Sequence, residues 1–152
     1  MKLYRFAVLG LFFISSVNAA DITIFYSPSC PHCHHARDFI RTELIYEYDD
    51  LKVTEINATL SEHRQQFIDT LKKCEFTSGG VPVLVVGEKC FQGYGKSSND
   101  SLRVAVEFDY TDAQKKSADA NRAAMKKDYD AFVVAHASRT DAIVDQDALK
   151  KK

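Results

Sequence analysis

The chain reads as an α/β protein with an extra C-terminal helical segment. Three observations predict this class. Short β-rich runs at 22–26, 51–56 and 81–86 are separated by stretches with helical spacing. A two-cysteine motif, Cys30-Pro31-His32-Cys33, sits where the first of these runs turns into a helix. From about Asp109 the composition shifts to Lys, Asp and Ala, with neither Gly nor Pro as far as Lys152.

The N-terminal residues stand apart. Lys2 and Arg5 form a short positive stretch, and residues 6–14 are apolar but too few to span a bilayer. Val17-Asn18-Ala19 then offers the small residues that a signal peptidase requires. The expectation is a signal peptide over 1–19, cut after Ala19 or Ala20, against the alternative of an uncleaved anchor. The mature chain is then exported, with no stable membrane insertion: periplasmic if bacterial, otherwise in the secretory pathway or extracellular. It divides into a domain over 20–108 and a helical extension over 109–152.

In the mature chain, Ile22-Thr23-Ile24-Phe25-Tyr26 predicts a buried strand. Pro31 suits a first helical position, and Ala36, Phe39, Ile40 and Leu44 recur at helical spacing, so a helix is expected from Pro31 to about Glu43. Residues 51–56 alternate and predict a second strand. Asn57 or Ser61 is placed to cap a helix whose apolar face is Phe67, Ile68 and Leu71, broken by Thr77-Ser78-Gly79-Gly80. Residues 81–86 predict a strand, Gly87-Glu88-Lys89 a tight hairpin, and Cys90-Phe91-Gln92 the returning strand. After a loop over 93–99, Leu102, Val104, Ala105, Val106 and Phe108 suggest a closing helix. In the extension, Met125, Tyr129, Phe132, Val133 and His136 form one helical stripe, read as packing on its own domain or on a partner. The first two strands, joined by a helix, are expected to be parallel and the hairpin antiparallel.

A chain of 152 residues, 45% hydrophobic with a formal net charge of −1, supports one domain with an ordinary core. That charge, without basic runs interleaved with aromatics, argues against nucleic acid as a partner. All 4 cysteines lie beyond the leader, in a setting where disulfides persist. They are too few to staple a chain of this length, so the C-x-x-C pair reads as chemistry. A sulfur at an exposed helix N-terminus attacks, and a second sulfur one turn behind resolves the mixed disulfide. The helix dipole and the His32 imidazole favour the Cys30 thiolate, which stabilises the reduced form and makes the disulfide more oxidising. The alternative is that His32 is simply exposed. His34 and His35 are given no role.

Three pieces now come together: residues 25–33 as strand, turn and C-P-x-C, Gly80-Val81-Pro82 before a strand, and Gly87-Glu88-Lys89-Cys90-Phe91-Gln92-Gly93 as hairpin and return. In them, residues 21–108 resemble the glutaredoxin-like branch of the thioredoxin superfamily. The resemblance implies a thioredoxin-like βαβαββα fold, with Cys30 as attacking thiol and Cys33 as buried resolving thiol. It also implies a cis Val81–Pro82 bond in a substrate-binding loop, where Val81 pairs with an extended peptide or glutathione. Cys-Pro-His-Cys matches the strong periplasmic oxidants of the superfamily, which leans toward an oxidising couple. Glutaredoxins carry Lys where this chain has Ser27, Tyr where it has His32, and Thr where it has Gly80. The implied substrates are therefore protein thiols and disulfides, reset by a redox recycling partner. No cofactor is expected beyond the redox-active disulfide, and no metal. Glutathione enters as co-substrate only in the alternative reading of a glutathione-coupled reductase. A monomer is expected, with the C-terminal stripe leaving a dimer open. The family often has a non-catalytic Cys where Cys90 falls. For Cys74 and Cys90 a structural disulfide, two free thiols and a regulatory pair all stay open.

Three other classes compete. Cys30-Pro31-His32-Cys33-His34 fits the haem-attachment pattern C-x-x-C-H, with His34 as axial ligand and Met125 as sixth ligand, but haem proteins of that kind are typically helical and a strand precedes this motif. Cys30 and Cys33 with His34 or His35 are also the donors of a soft-metal module, without a second ligand pair at conventional spacing. A non-catalytic adaptor acting through its C-terminal helix is the third.

Overall fold

The computed structural model describes residues 20–149, so the leader expected over 1–19 lies outside the described residues. β1 (Asp21–Tyr26) is buried at Ile22 and from Ile24 to Tyr26, with Asp21 exposed and Thr23 partly so. β2 (Lys52–Asn57) lies parallel to it, with Ile22 opposite Val53 and Ile24 opposite Glu55. β3 (Val83–Val86) runs antiparallel to β1, and β4 (Lys89–Gln92) returns through a turn made by Gly87 and Glu88. Gly87 has φ +55°, the left-handed conformation that two-residue hairpins require and glycine adopts without strain.

α1 (Pro31–Phe39) passes through a π-helical turn (Ile40–Leu44) into α2 (Ile45–Glu47). The helix outruns its expected end near Glu43 because Ile40, Leu44, Ile45 and Tyr46 all go on burying apolar surface. α4 (Asn99–Val106) adds Leu102, Ala105 and Val106 to the same core. Phe25, Ile56 and Val83 alternate to the opposite side of their strands. There they form a smaller cluster with Phe67 and Leu71 of α3 (Arg64–Lys73) and with Phe76. Neither Asn57 nor Ser61 caps α3. Asn57 Oδ1 instead accepts from the Thr59 N–H and hydroxyl at 3.0 and 2.7 Å, forming a local turn, and a 3-10 turn (Ser61–His63) leads into the helix. The helix stops ahead of the glycines, at a left-handed Glu75 with φ 57°.

The C-terminal stripe is split between two helices. α5 (Asp112–Lys127) begins at a Thr111–Gln114 capping box. Asp128, with φ −155° and ψ 91°, ends it and caps α6 (Tyr129–Ala135) by accepting from Ala131 N–H at 3.0 Å. Met125 on α5 and Phe132 and Val133 on α6 pack on the main core. After a 3-10 stretch (Ala137–Ala142), β5 (Ile143–Asp145) pairs parallel with β2, followed by α7 (Gln146–Leu149). The sheet order is β4-β3-β1-β2-β5. The fold is thioredoxin-like α/β, as the element order predicts. The C-terminal segment supplies an edge strand, which three residues in a charged stretch do not announce.

Two carboxylates are buried in this packing. Glu55 on β2 accepts from Arg37 (2.9 and 2.6 Å) and from Arg41 (2.8 and 2.6 Å). Burial alone would raise its pKa, but the two guanidiniums outweigh burial and hold the carboxyl below the usual carboxylate range. Glu47 at the end of α2 is bound by Arg103 of α4 at 2.6 and 2.8 Å. Among the described residues no helix is long and apolar enough to cross a membrane.

Candidate active site

β1 delivers the chain to the site. Beyond Tyr26 a turn closes by a Cys30 N–H bond to Ser27 O at 3.1 Å, and α1 starts with Pro31. Cys30 is the N-cap, extended at φ −92° and ψ 112°. Its Sγ accepts the Cys33 N–H at 3.3 Å, so a backbone donor left over at the helix start is spent on sulfur. Cys30 is half-buried and Cys33 fully buried. Burial, with a hydrogen bond to Cys30, pushes the Cys33 thiol up to about 12. The two sulfurs are therefore unequal: Cys30 faces out and Cys33 waits behind as a neutral thiol.

The loop before β3 comes up against this pair. The Cys30 thiol donates to Val81 O at 3.6 Å, and Val81–Pro82 is cis. Cys30, Cys33 and the Gly80, Val81 and Pro82 loop, 51 residues away along the chain, thus meet at one end of the sheet. Gln92 is a participant that sequence reading missed. Its side-chain amide donates to Ser78 O at 2.8 Å and to Gly80 O at 3.1 Å, tying the loop to β4. A glutamine in the returning strand gives no sequence signal, because its partners are backbone carbonyls. Cys74 and Cys90 form a disulfide, S–S 1.98 Å and Cα–Cα 5.8 Å, joining the end of α3 to β4.

The histidines part company. His32 is exposed and, with His35, Phe39 and Tyr94, lines a cavity of about 430 Å³ beside the motif. His34 pairs through Nε2 with Pro28 O at 2.8 Å, holding the turn. Met125, the sixth ligand of the haem alternative, is packed in the main core. Among the described residues, the one set of three metal-ligating side chains within mutual reach is Glu62, His63 and Asp147, which includes neither cysteine.

No protein-family model matches the chain, and no curated protein matches it. Among solved structures it is similar to a glutaredoxin from Archaeoglobus fulgidus, at 21% identity over 55% of this chain and 86% of that chain, with a TM-score of 0.43. It is also similar to the oxidized form of mitochondrial thioredoxin 3 from Saccharomyces cerevisiae, at 22% identity over 60% of this chain and 79% of that chain, with a TM-score of 0.41.

Proposed function

We propose that the protein is an exported thiol–disulfide oxidoreductase that exchanges disulfides with protein thiols through Cys30 and Cys33. One observation carries the reading: a half-buried sulfur capping a helix, 3.6 Å from a backbone carbonyl of a cis-proline loop, with a buried second thiol behind it. Acting as an oxidase, the Cys30–Cys33 disulfide is attacked at Cys30 by a substrate thiolate, and Cys33 leaves and takes up a proton. The second substrate thiolate then attacks the substrate sulfur of the mixed disulfide and displaces Cys30. Two electrons pass from the substrate to the cysteine pair, and a recycling partner removes them. Acting as a reductase, the Cys30 thiolate attacks a substrate disulfide and Cys33 resolves. The exchange uses no metal and no bound cofactor, and glutathione is the co-substrate to test as alternative reductant. Val81 offers its backbone to an extended substrate segment, and Gly80 and Pro82 shape the loop that presents it.

Replacing Cys30 by Ser is expected to abolish exchange, and Cys33→Ser to trap a mixed disulfide visible by mass. Exchange that survives unchanged in Cys30→Ser overturns the assignment. The reduction potential of the pair then sets direction. A value near about −120 mV means a disulfide donor, and one near about −270 mV a reductase fed from upstream.

A further inference from the structure

A second constellation lies outside the cysteine site, where the turn after β2 meets the C-terminal residues. His63 is 5% exposed and closes the 3-10 turn (Ser61–His63) that follows β2. Its Nε2 faces two carboxylates, Asp147 Oδ1 at 3.1 Å and Glu62 Oε1 at 3.7 Å. All three donor atoms lie within 4.8 Å of one another. Ligand atoms about 2.0–2.2 Å from a tetrahedral zinc stand roughly 3.4 Å apart, and the two observed separations fall on either side of that value. The Tyr26 hydroxyl donates to the other Asp147 oxygen at 3.4 Å, orienting that carboxylate from behind.

Glu62 and Asp147 bring two carboxylates to one imidazole nitrogen. A divalent cation binding neutral imidazole balances the pair of carboxylates. One buried imidazole and two carboxylates, with no thiolate, is a donor set for zinc or a similar borderline divalent metal.

We propose that Glu62, His63 and Asp147 form a three-ligand zinc-type site, its fourth position left to water, that fastens the C-terminal turn to the loop following β2. The ligands His63 and Asp147 are 84 residues apart in the chain, so the ion closes a long loop and stabilises the folded state. The site is distinct from the redox pair and does not depend on the function proposed above.

The test uses the purified chain with Cys30→Ser and Cys33→Ser, which removes thiol ligation, titrated with Co²⁺ as an optical probe and then with Zn²⁺ in competition. The expected result is one Co²⁺ per chain, with d–d absorption and no thiolate charge-transfer band, displaced by Zn²⁺. Zn²⁺ raises Tm in this parent and not in His63→Gln. Asp147→Asn and Glu62→Gln each weaken Zn²⁺ binding by ~10-fold or more. Absence of binding, or binding unchanged by these substitutions, overturns the proposal. Should His63→Gln fail to fold by circular dichroism, Glu62→Gln decides alone. Its side chain is 48% exposed, so it leaves the core intact, and an unchanged affinity there overturns the site.

Discussion

Cys33 has no exposed surface, and burial keeps it a thiol up to about pH 12. An alkylating reagent needs thiolate, so the two reduced cysteines differ in a way that mass spectrometry reads. Native reduced protein at pH 7 to 8 is expected to take iodoacetamide at Cys30 alone. Cys33 is labelled only on denaturation or as the pH approaches its raised value. Rapid double labelling at neutral pH contradicts the burial of the Cys33 thiol. At this scale the sequence showed the cysteines and the Val81–Pro82 loop plainly, since strand, turn and C-P-x-C are contiguous. It did not show Glu55 turned inward. Leu51 and Val53 set an alternation that puts Glu55 on the inner side, yet a glutamate in a strand ordinarily reads as solvent-facing. Only the arrival of Arg37 and Arg41 from α1 and the π-helical turn makes that burial tolerable.

That clamp belongs to the scale of elements, because it fixes α1, the helix that carries Cys33, to the sheet. Removing the carboxylate by Glu55→Ala strands two guanidiniums. The expected loss is about 2–4 kcal/mol, less than for a fully enclosed pair because Arg41 is 42% exposed. Denaturant unfolding measures it. Since the folded Glu55 pKa is depressed, its contribution is present above the unfolded carboxylate value and is lost as pH falls through the folded one. Acid titration of stability should therefore be flatter below the usual carboxylate range in the variant than in the parent. Gln92 acts between elements too. Under the proposed activity, Gln92→Ala frees the 78–80 carbonyls and is expected to raise KM for a peptide disulfide while kcat changes little, with partial rescue by Gln92→Asn. The hairpin of β3 and β4 was legible from its β-branched run and its glycine. The break at Asp128 was not, because the apolar spacing runs through it undisturbed and only the capping geometry divides the helices.

The whole molecule is held by a sheet whose outermost strand comes late in the chain. β5 covers the free edge of β2, and Arg139 just before it donates to Ile45 O at 2.9 Å and to Tyr48 O. Ending the chain after Ala142 is expected to lower Tm by several degrees while keeping the α/β circular-dichroism signature, measured in EDTA so that no divalent ion contributes. A chain ended after Phe108 loses α5 and the buried Met125 and Ala118 as well, and is expected to expose apolar surface to a dye. The first four strands, the parallel β1–β2 pair and the antiparallel hairpin followed from sequence because each strand is a local pattern of alternation or a continuous apolar run, whereas the place of β3 beside β1 did not. β5 did not, because its identity rests on a partner strand and not on its own three residues.

The Cys74–Cys90 bridge encloses the chain from α3 through the Val81–Pro82 loop and β3 as a covalent ring. A protease that nicks the exposed Gly79 and Gly80 stretch therefore cuts the ring without releasing a fragment. The nicked protein should run as a single species on a non-reducing gel and separate into two pieces only after reductant is added. A chain cut at the very loop that faces Cys30 then remains one molecule for as long as its surroundings stay oxidising.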